Sequence, residues 1–158
     1  MFVRAVGNQG TESGFIPTER SEQSHSTHPS PTAPWRILLA DDDEWTRQLW
    51  RDILESYTDI KVVGQARDGR EAVLMATTHQ PDVILMDIAM PHLDGVEATH
   101  RIRKACPRTV IIGISGNYAP SVYTAMRTAG AVAFVCKNQV LSIHETIMLA
   151  LGIYPDNG

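Results

Sequence analysis

Five short apolar runs punctuate the chain from Trp35 onward: WRILLA (35–40), KVVGQA (61–66), DVILMD (82–87), TVIIGIS (109–115) and VAFVCK (132–137). They are rich in Val and Ile, and polar residues do not alternate through them. A strand covered on both faces has this texture, because side chains above and below the sheet both meet a core. Between the runs the spacing becomes helical. Trp45, Leu49 and Ile53, with Trp50 and Leu54, recur at steps of four and predict one apolar helix face. Asp68 or Gly69 opens a second helix that ends before Pro81. A third places Val96, Thr99 and Ile102 on one side and stops before Pro107. A fourth, SVYTAMRTAGA, stops at Gly130, a residue suited to a left-handed terminator. A fifth, VLSIHETIMLAL, runs to Gly152. Strand and helix alternate five times, which predicts an α/β fold with a parallel sheet and helices on both faces.

Residues 1–34 differ in kind. Sixteen of these 34 are Gly, Pro, Ser or Thr, and no period runs through them, so too little apolar surface exists to offset the entropy of ordering. The expectation is a disordered N-terminal tail (1–34), one folded domain (35–154) and a short C-terminal tail (155–158). The N-terminal tail reads either as an inert extension or as a docking segment. His25 and His28 within it are solvated polar residues or a metal-binding pair.

Composition narrows the function. The 158 residues suffice for one core, and 43% of them are apolar, ordinary for a globular protein. A net charge of −4 is no nucleic-acid footprint. Cys106 and Cys136 lack any metal-ligand or disulfide spacing, as reduced thiols of a cytoplasmic protein would. No apolar run approaches the ~20 residues that span a bilayer.

In open parallel sheets, ligands bind beyond the carboxyl ends of the strands. The first run ends in Asp41, Asp42, Asp43 and Glu44, the second in Arg67 and Asp68. The third ends in Asp87, the fourth in Ser115 and the fifth in Lys137. Carboxylates ~5 Å apart repel by about 3 kcal/mol at an effective dielectric near 20. Gathering Asp41, Asp42 and Asp87 therefore calls for a cation, and hard oxygen ligands suit Mg²⁺. Mg²⁺ and Lys137 together suit a transferring phosphoryl group, and an Asp carboxylate can be its nucleophile. Ser115 can hydrogen-bond the arriving phosphoryl oxygens, and Gly116 leaves room for them. Each residue alone has a plainer reading: Asp43 as the cap of the helix begun by Glu44, Ser115 as a turn serine, Lys137 as a surface lysine. Their joint placement at successive strand ends is what favours chemistry.

These residues resemble those of the response-regulator receiver family. The resemblance covers Trp35 to about Ile153. ILLADDDEWTRQLWRDIL is similar to the family's first strand, acidic pair and first helix. PDVILMDIAMPHLDGVEATHRIR is similar to its phosphoacceptor segment, IIGIS ends at its Ser/Thr position, and AGAVAFVCK ends in its lysine. The resemblance implies a flavodoxin-like (βα)5 doubly wound sheet in the order 2-1-3-4-5. It implies that Asp87 accepts a phosphoryl group from a sensor histidine kinase or phosphotransfer protein. Asp42 and Asp87 would ligate Mg²⁺ directly, Asp41 through water, and the main-chain carbonyl of Ala89 would complete the protein ligands. Ser115 and Lys137 would sense the phosphate. Phe134 falls at the switch aromatic position, or is simply a core phenylalanine. Pro91 and Gly95 would shape the loop after Asp87. Such a protein is a phosphoacceptor switch rather than an enzyme in the usual sense, monomeric or weakly dimeric, acting on a downstream protein partner.

Two departures from the family pattern stand out. Asn138 follows the lysine where proline is frequent, leaving that loop less constrained. Ala89 offers no polar side chain to orient a hydrolytic water, although Asn117 could. No helix-turn-helix pattern follows the fifth helix before Gly158, so the expected output is protein contact through the fourth helix, fifth strand and fifth helix, with Tyr118, Tyr123, Met126 and Arg127 as candidates. Two alternatives stay open. The aspartate-nucleophile phosphatases carry DxDx[TV], which Asp41 and Asp43 fit and Trp45 does not. A degenerate receiver would bind partners without phosphorylation.

Overall fold

The computed structural model describes residues 32–116 and 119–153. Ten main elements alternate: β1 (Trp35–Ala40), α1 (Glu44–Glu55), β2 (Ile60–Ala66), α2 (Gly69–His79), β3 (Val83–Asp87), α3 (Gly95–Ala105), β4 (Val110–Ser115), α4 (Pro120–Ala129), β5 (Ala133–Cys136) and α5 (Ile143–Ala150). The strands form one parallel sheet in the order β2-β1-β3-β4-β5, the flavodoxin-like arrangement.

The unbroken apolar runs are explained by two cores, one on each face. On β1, Ile37 and Leu39 join Trp50, Leu54, Ile143 and Ile147 beneath α1 and α5. The intervening Leu38 and Ala40 join Ala72, Ala98, Ile102 and Met126 beneath α2, α3 and α4. β3 splits the same way, with Val83 and Leu85 on the first face and Ile84 and Met86 on the second. Because successive side chains point to opposite faces, every position of a central strand is interior.

The helices start where short polar side chains meet free amide groups. Asp43, Asp68 and Asp94 each accept a hydrogen bond from the amide three residues on, at 2.8, 2.8 and 2.9 Å. The cap reading of Asp43 is thus correct. α4 ends at Gly130, whose φ of 121° is open to glycine, and α2 ends at Gln80 in the left-handed region.

Three sequence readings need correction. On α1, Trp50 and Leu54 are buried, but Trp45 and Leu49 are 85% and 54% exposed. A helix on a sheet hides a limited stripe, and the row through Trp45 and Leu49 lies about 100° around from Trp50. The fifth helical pattern is broken into a 3₁₀ turn (Val140–Ser142) and α5. The Ser142 hydroxyl donates to the Gln139 carbonyl at 3.0 Å, a local bond that competes with regular helix. Finally, the fifth strand ends at Cys136, so Lys137 stands one residue beyond it.

Candidate functional site

β1, β3 and β5 converge at their carboxyl ends, and the side chains that follow meet there. Asp41 and Asp87 are 3% and 4% exposed, and Asp42 lies at the surface beside them. Carboxylate oxygens of Asp41, Asp42 and Asp87 all fall within 4.8 Å of one another. Lys137 reaches into this group from beyond β5. Its ammonium donates to Asp87 Oδ2 at 3.0 Å and lies 2.7 Å from Asp41 Oδ2. The contact with Asp41 is an ion pair, and Asp41 Oδ2 is buried without a hydrogen bond.

Local bonds fix each carboxylate. The Asp41 amide donates to the Ala66 carbonyl, continuing the β1–β2 pairing past the strand. Asp41 Oδ1 accepts from the Asp43 amide at 2.9 Å, which turns the chain from β1 into α1. Asp87 Oδ1 accepts from the Ala89 amide at 3.3 Å. Gly95 lets α3 begin against the end of β3. A Cβ there would stand 2.2 Å from the Asp87 carbonyl oxygen, so no larger residue fits without moving the backbone.

These surroundings set the charges. Burial and the neighbouring Asp41 carboxylate raise the Asp87 pKa above the ordinary 3.8, with the hydrogen bond and charge of Lys137 opposing them. For Lys137, burial acts downward. Close contact with the Asp41 and Asp87 carboxylates, and their charge, outweigh it and leave the ammonium above its ordinary 10.5.

Ser115 ends β4 half-buried, and its carbonyl accepts the Lys137 amide at 3.1 Å. Phe134 lies on β5 opposite Gly113, half-buried, with its ring edge-on to Tyr123 at 4.6 Å between centroids. Tyr123, Thr124, Arg127 and Phe134 line a surface cavity of about 190 Å³. Of the expected output residues, Arg127 is exposed and Tyr123 half-buried. Met126 is 0% exposed and is withdrawn from that set, because it faces the second core. Tyr118 and Asn117 lie outside the described residues, as do His25, His28, the tail through residue 31 and residues 154–158.

Sequence reasoning overlooked Arg47. Its Nη1 donates to the Asp41 main-chain carbonyl at 2.7 Å, and its Nε is enclosed without a partner. The signal available was faint: an arginine one turn past a cap, at a position the helical period leaves polar.

A family model described as the response regulator receiver domain matches residues 37–147. The chain belongs to this family. It is a receiver of the two-component type. Over 104 residues it is 44% identical to a protein-glutamate methylesterase/protein-glutamine glutaminase of Thermotoga maritima, covering 65% of this chain and 30% of that protein. It is 38% identical over 104 residues to the uncharacterized transcriptional regulatory protein YxjL of Bacillus subtilis, covering 65% and 47%. The receiver thus spans under half the length of these relatives. The crystal structure of the response regulator domain of Thermotoga maritima CheB superposes with a TM-score of 0.72 at 36% identity, covering 77% of this chain and 99% of that one. The CheX–CheY–BeF3–Mg complex from Borrelia burgdorferi gives 0.70 at 25% identity, covering 74% and 89%.

The acidic cluster fits a divalent cation on two counts. Its donors are all carboxylate oxygens, the hard ligands that Mg²⁺ prefers. One of them, Asp41 Oδ2, is buried without a hydrogen bond. Among the described residues no helix is long and apolar enough to cross a membrane.

Proposed function

We propose that this receiver takes a phosphoryl group onto Asp87 and passes the resulting change to a protein partner. The observation that carries the reading is one buried carboxylate pair sharing one ammonium, at 3.0 Å from Asp87 and 2.7 Å from Asp41. A capping aspartate needs neither burial nor a lysine, and Asp43, which does cap, is exposed.

An ionised oxygen of Asp87 attacks the phosphorus of a phosphohistidine. The O–P bond forms as the P–N bond breaks, and the electron pair leaves on the imidazole nitrogen. Burial beside Asp41 makes the Asp87 carboxylate more basic, and Lys137 orients it. The same ammonium can follow the charge onto the phosphoryl oxygens. Asp41, Asp42 and Asp87, with the carbonyl of Ala89, would hold Mg²⁺. When bound, that ion supplies positive charge to the transferring group. The Ser115 hydroxyl donates to a phosphoryl oxygen, and Phe134 on the adjacent strand carries the displacement toward the α4–β5–α5 face.

The phosphoryl donor is a sensor histidine kinase or phosphotransfer protein, and the recipient is a downstream protein. The net charge of −4 supports a protein rather than DNA as the contact of this domain. The free thiols Cys106 and Cys136 accord with a cytoplasmic location. A monomer or weak homodimer is the proposed state.

The test is incubation with acetyl phosphate and Mg²⁺, read by intact mass on wild type and Asp87→Asn. One added phosphoryl group is expected in wild type, absent in the variant and absent in EDTA. Lack of any adduct, with no spectral response to beryllofluoride, overturns the reading. A label on Asp41 instead would turn it toward the phosphatase class.

A further inference from the structure

We infer that Gly69 is a positioning residue for the acidic site: its missing side chain lets the loop after Asp87 lock onto the start of α2, and that contact places the Ala89 carbonyl. The inference rests on the proposed function, in which Ala89 would help to hold Mg²⁺.

Residues 88–94 join β3 to α3 and follow Asp87 directly. Main-chain bonds draw this loop together. The Gly95 amide donates to the Ile88 carbonyl at 2.9 Å, and the Leu93 amide to the Pro91 carbonyl at 2.7 Å. His92 between them has a φ of 64°, a left-handed conformation that few residues other than glycine adopt. Met90 is buried in the second core, and the Ala89 amide donates to Asp87 Oδ1 at 3.3 Å. A loop bound in this way shifts as a unit, so a displacement at Leu93 reaches Ala89.

α2 holds the loop from outside. The first amides of a helix have no partner within it. Asp68 accepts from the Glu71 amide at 2.8 Å, and the Leu93 carbonyl accepts from the Gly69 amide at 3.1 Å. Only glycine permits this approach. A Cβ at residue 69 would stand 2.1 Å from the Leu93 carbonyl oxygen, 2.8 Å from its carbonyl carbon and 2.9 Å from its Cβ. The two nearest are main-chain atoms, so no change of rotamer relieves the clash. Gly69 is buried within ordinary helix, and the absent side chain is what the contact uses. A larger residue would drive the loop from α2 by about 1 Å, a displacement that near reacting groups costs on the order of a hundredfold in rate.

The experiment compares full-length wild type with Gly69→Ala. Mg²⁺ affinity is read by tryptophan fluorescence, phosphorylation by acetyl phosphate at saturating Mg²⁺ by intact mass, and stability by urea unfolding in EDTA. Gly69→Ala should bind Mg²⁺ about tenfold more weakly, as when a group that orients a metal ligand is lost. It should also take up the phosphoryl group about ten- to a hundredfold more slowly. A lower urea midpoint with unchanged Mg²⁺ affinity means a packing contact alone and overturns the inference. Amide exchange on wild type gives a second reading, and it decides if Gly69→Ala does not fold. Because coupling is reciprocal, Mg²⁺ should slow exchange of the Gly69 amide about threefold more than that of the Glu71 amide in the same turn. Equal slowing of the two overturns the inference. Should wild type bind no Mg²⁺ and take no phosphoryl group, the proposed function fails and carries the inference with it.

Discussion

Asp87→Asn should stabilise the metal-free protein at neutral pH, although it removes the central residue of the site. Asp87 and Asp41 carry oxygens within 4.8 Å of one another, so at an effective dielectric near 20 they repel by about 3.5 kcal/mol. Enclosing a carboxylate that is only 4% exposed costs several kcal/mol more in lost hydration. Against these stands Lys137 at 3.0 Å, worth about 5.5 kcal/mol on the same scale. The balance favours removing the charge by about 1–2 kcal/mol, in agreement with a pKa raised by burial and Asp41 despite the lysine. Lys137 keeps Asp41 as its partner in the variant, and the new amide oxygen can still accept from it. In a domain of this size the gain is roughly 4–8 °C in melting temperature.

The pH dependence follows from the direction of the shift. The folded carboxyl titrates above the unfolded value of 3.8, so between those two points the folded protein binds more protons. Wild-type stability therefore falls as pH rises through that window, and the penalty is complete above the folded pKa. Below 3.8 both states are protonated and the advantage of Asn vanishes. Urea unfolding of both proteins in EDTA at pH 7 and near pH 3.5 measures this directly. A variant less stable than wild type at pH 7, or an advantage that persists undiminished at the lower pH, would refute the electrostatic account. Excess Mg²⁺ should shrink the difference, because it stabilises only the protein that retains its carboxylate.

Three further substitutions probe the surroundings of the site. Gly113→Ala should cost about 1–3 kcal/mol, because a Cβ there would stand 2.8 and 2.9 Å from Phe134 ring carbons and 3.3 Å from Met126 Cε. Phe134→Leu should recover part of that loss in a double-mutant cycle by chemical denaturation, and strict additivity would sink the account. Ala89→Asn should shorten the lifetime of the phosphorylated state, since it sets a polar side chain beside the Asp87 carboxylate where a water can be oriented. Decay of the labelled protein after removal of the donor checks this, and an unchanged rate counts against it.

The sheet was legible because buried parallel strands leave few compositional choices. VILM in β3 must satisfy two cores at once, and no helical or half-exposed segment requires that. Exposure on the helices was less legible. Trp45 and Leu49 recur at helical spacing as well as Trp50 and Leu54 do, and only the angle at which α1 settles on the sheet separates them. Met126 was misjudged for the same reason: a methionine on a polar helix gives no sign of which way it points.

The site was legible for a different reason, which also explains what was missed. A carboxylate at one strand end has an ordinary explanation as a cap. Carboxylates at the ends of β1 and β3, with a lysine just past β5, have none once topology brings those ends together, because packing alone opposes the gathering. Electrostatic cost is thus what makes the cluster visible from residue types and positions. Arg47 is bonded to a main-chain carbonyl, and a sequence does not show which arginine of a charged helix turns inward. The identities of the acids were therefore readable, while the arginine that holds the β1–α1 corner required the fold.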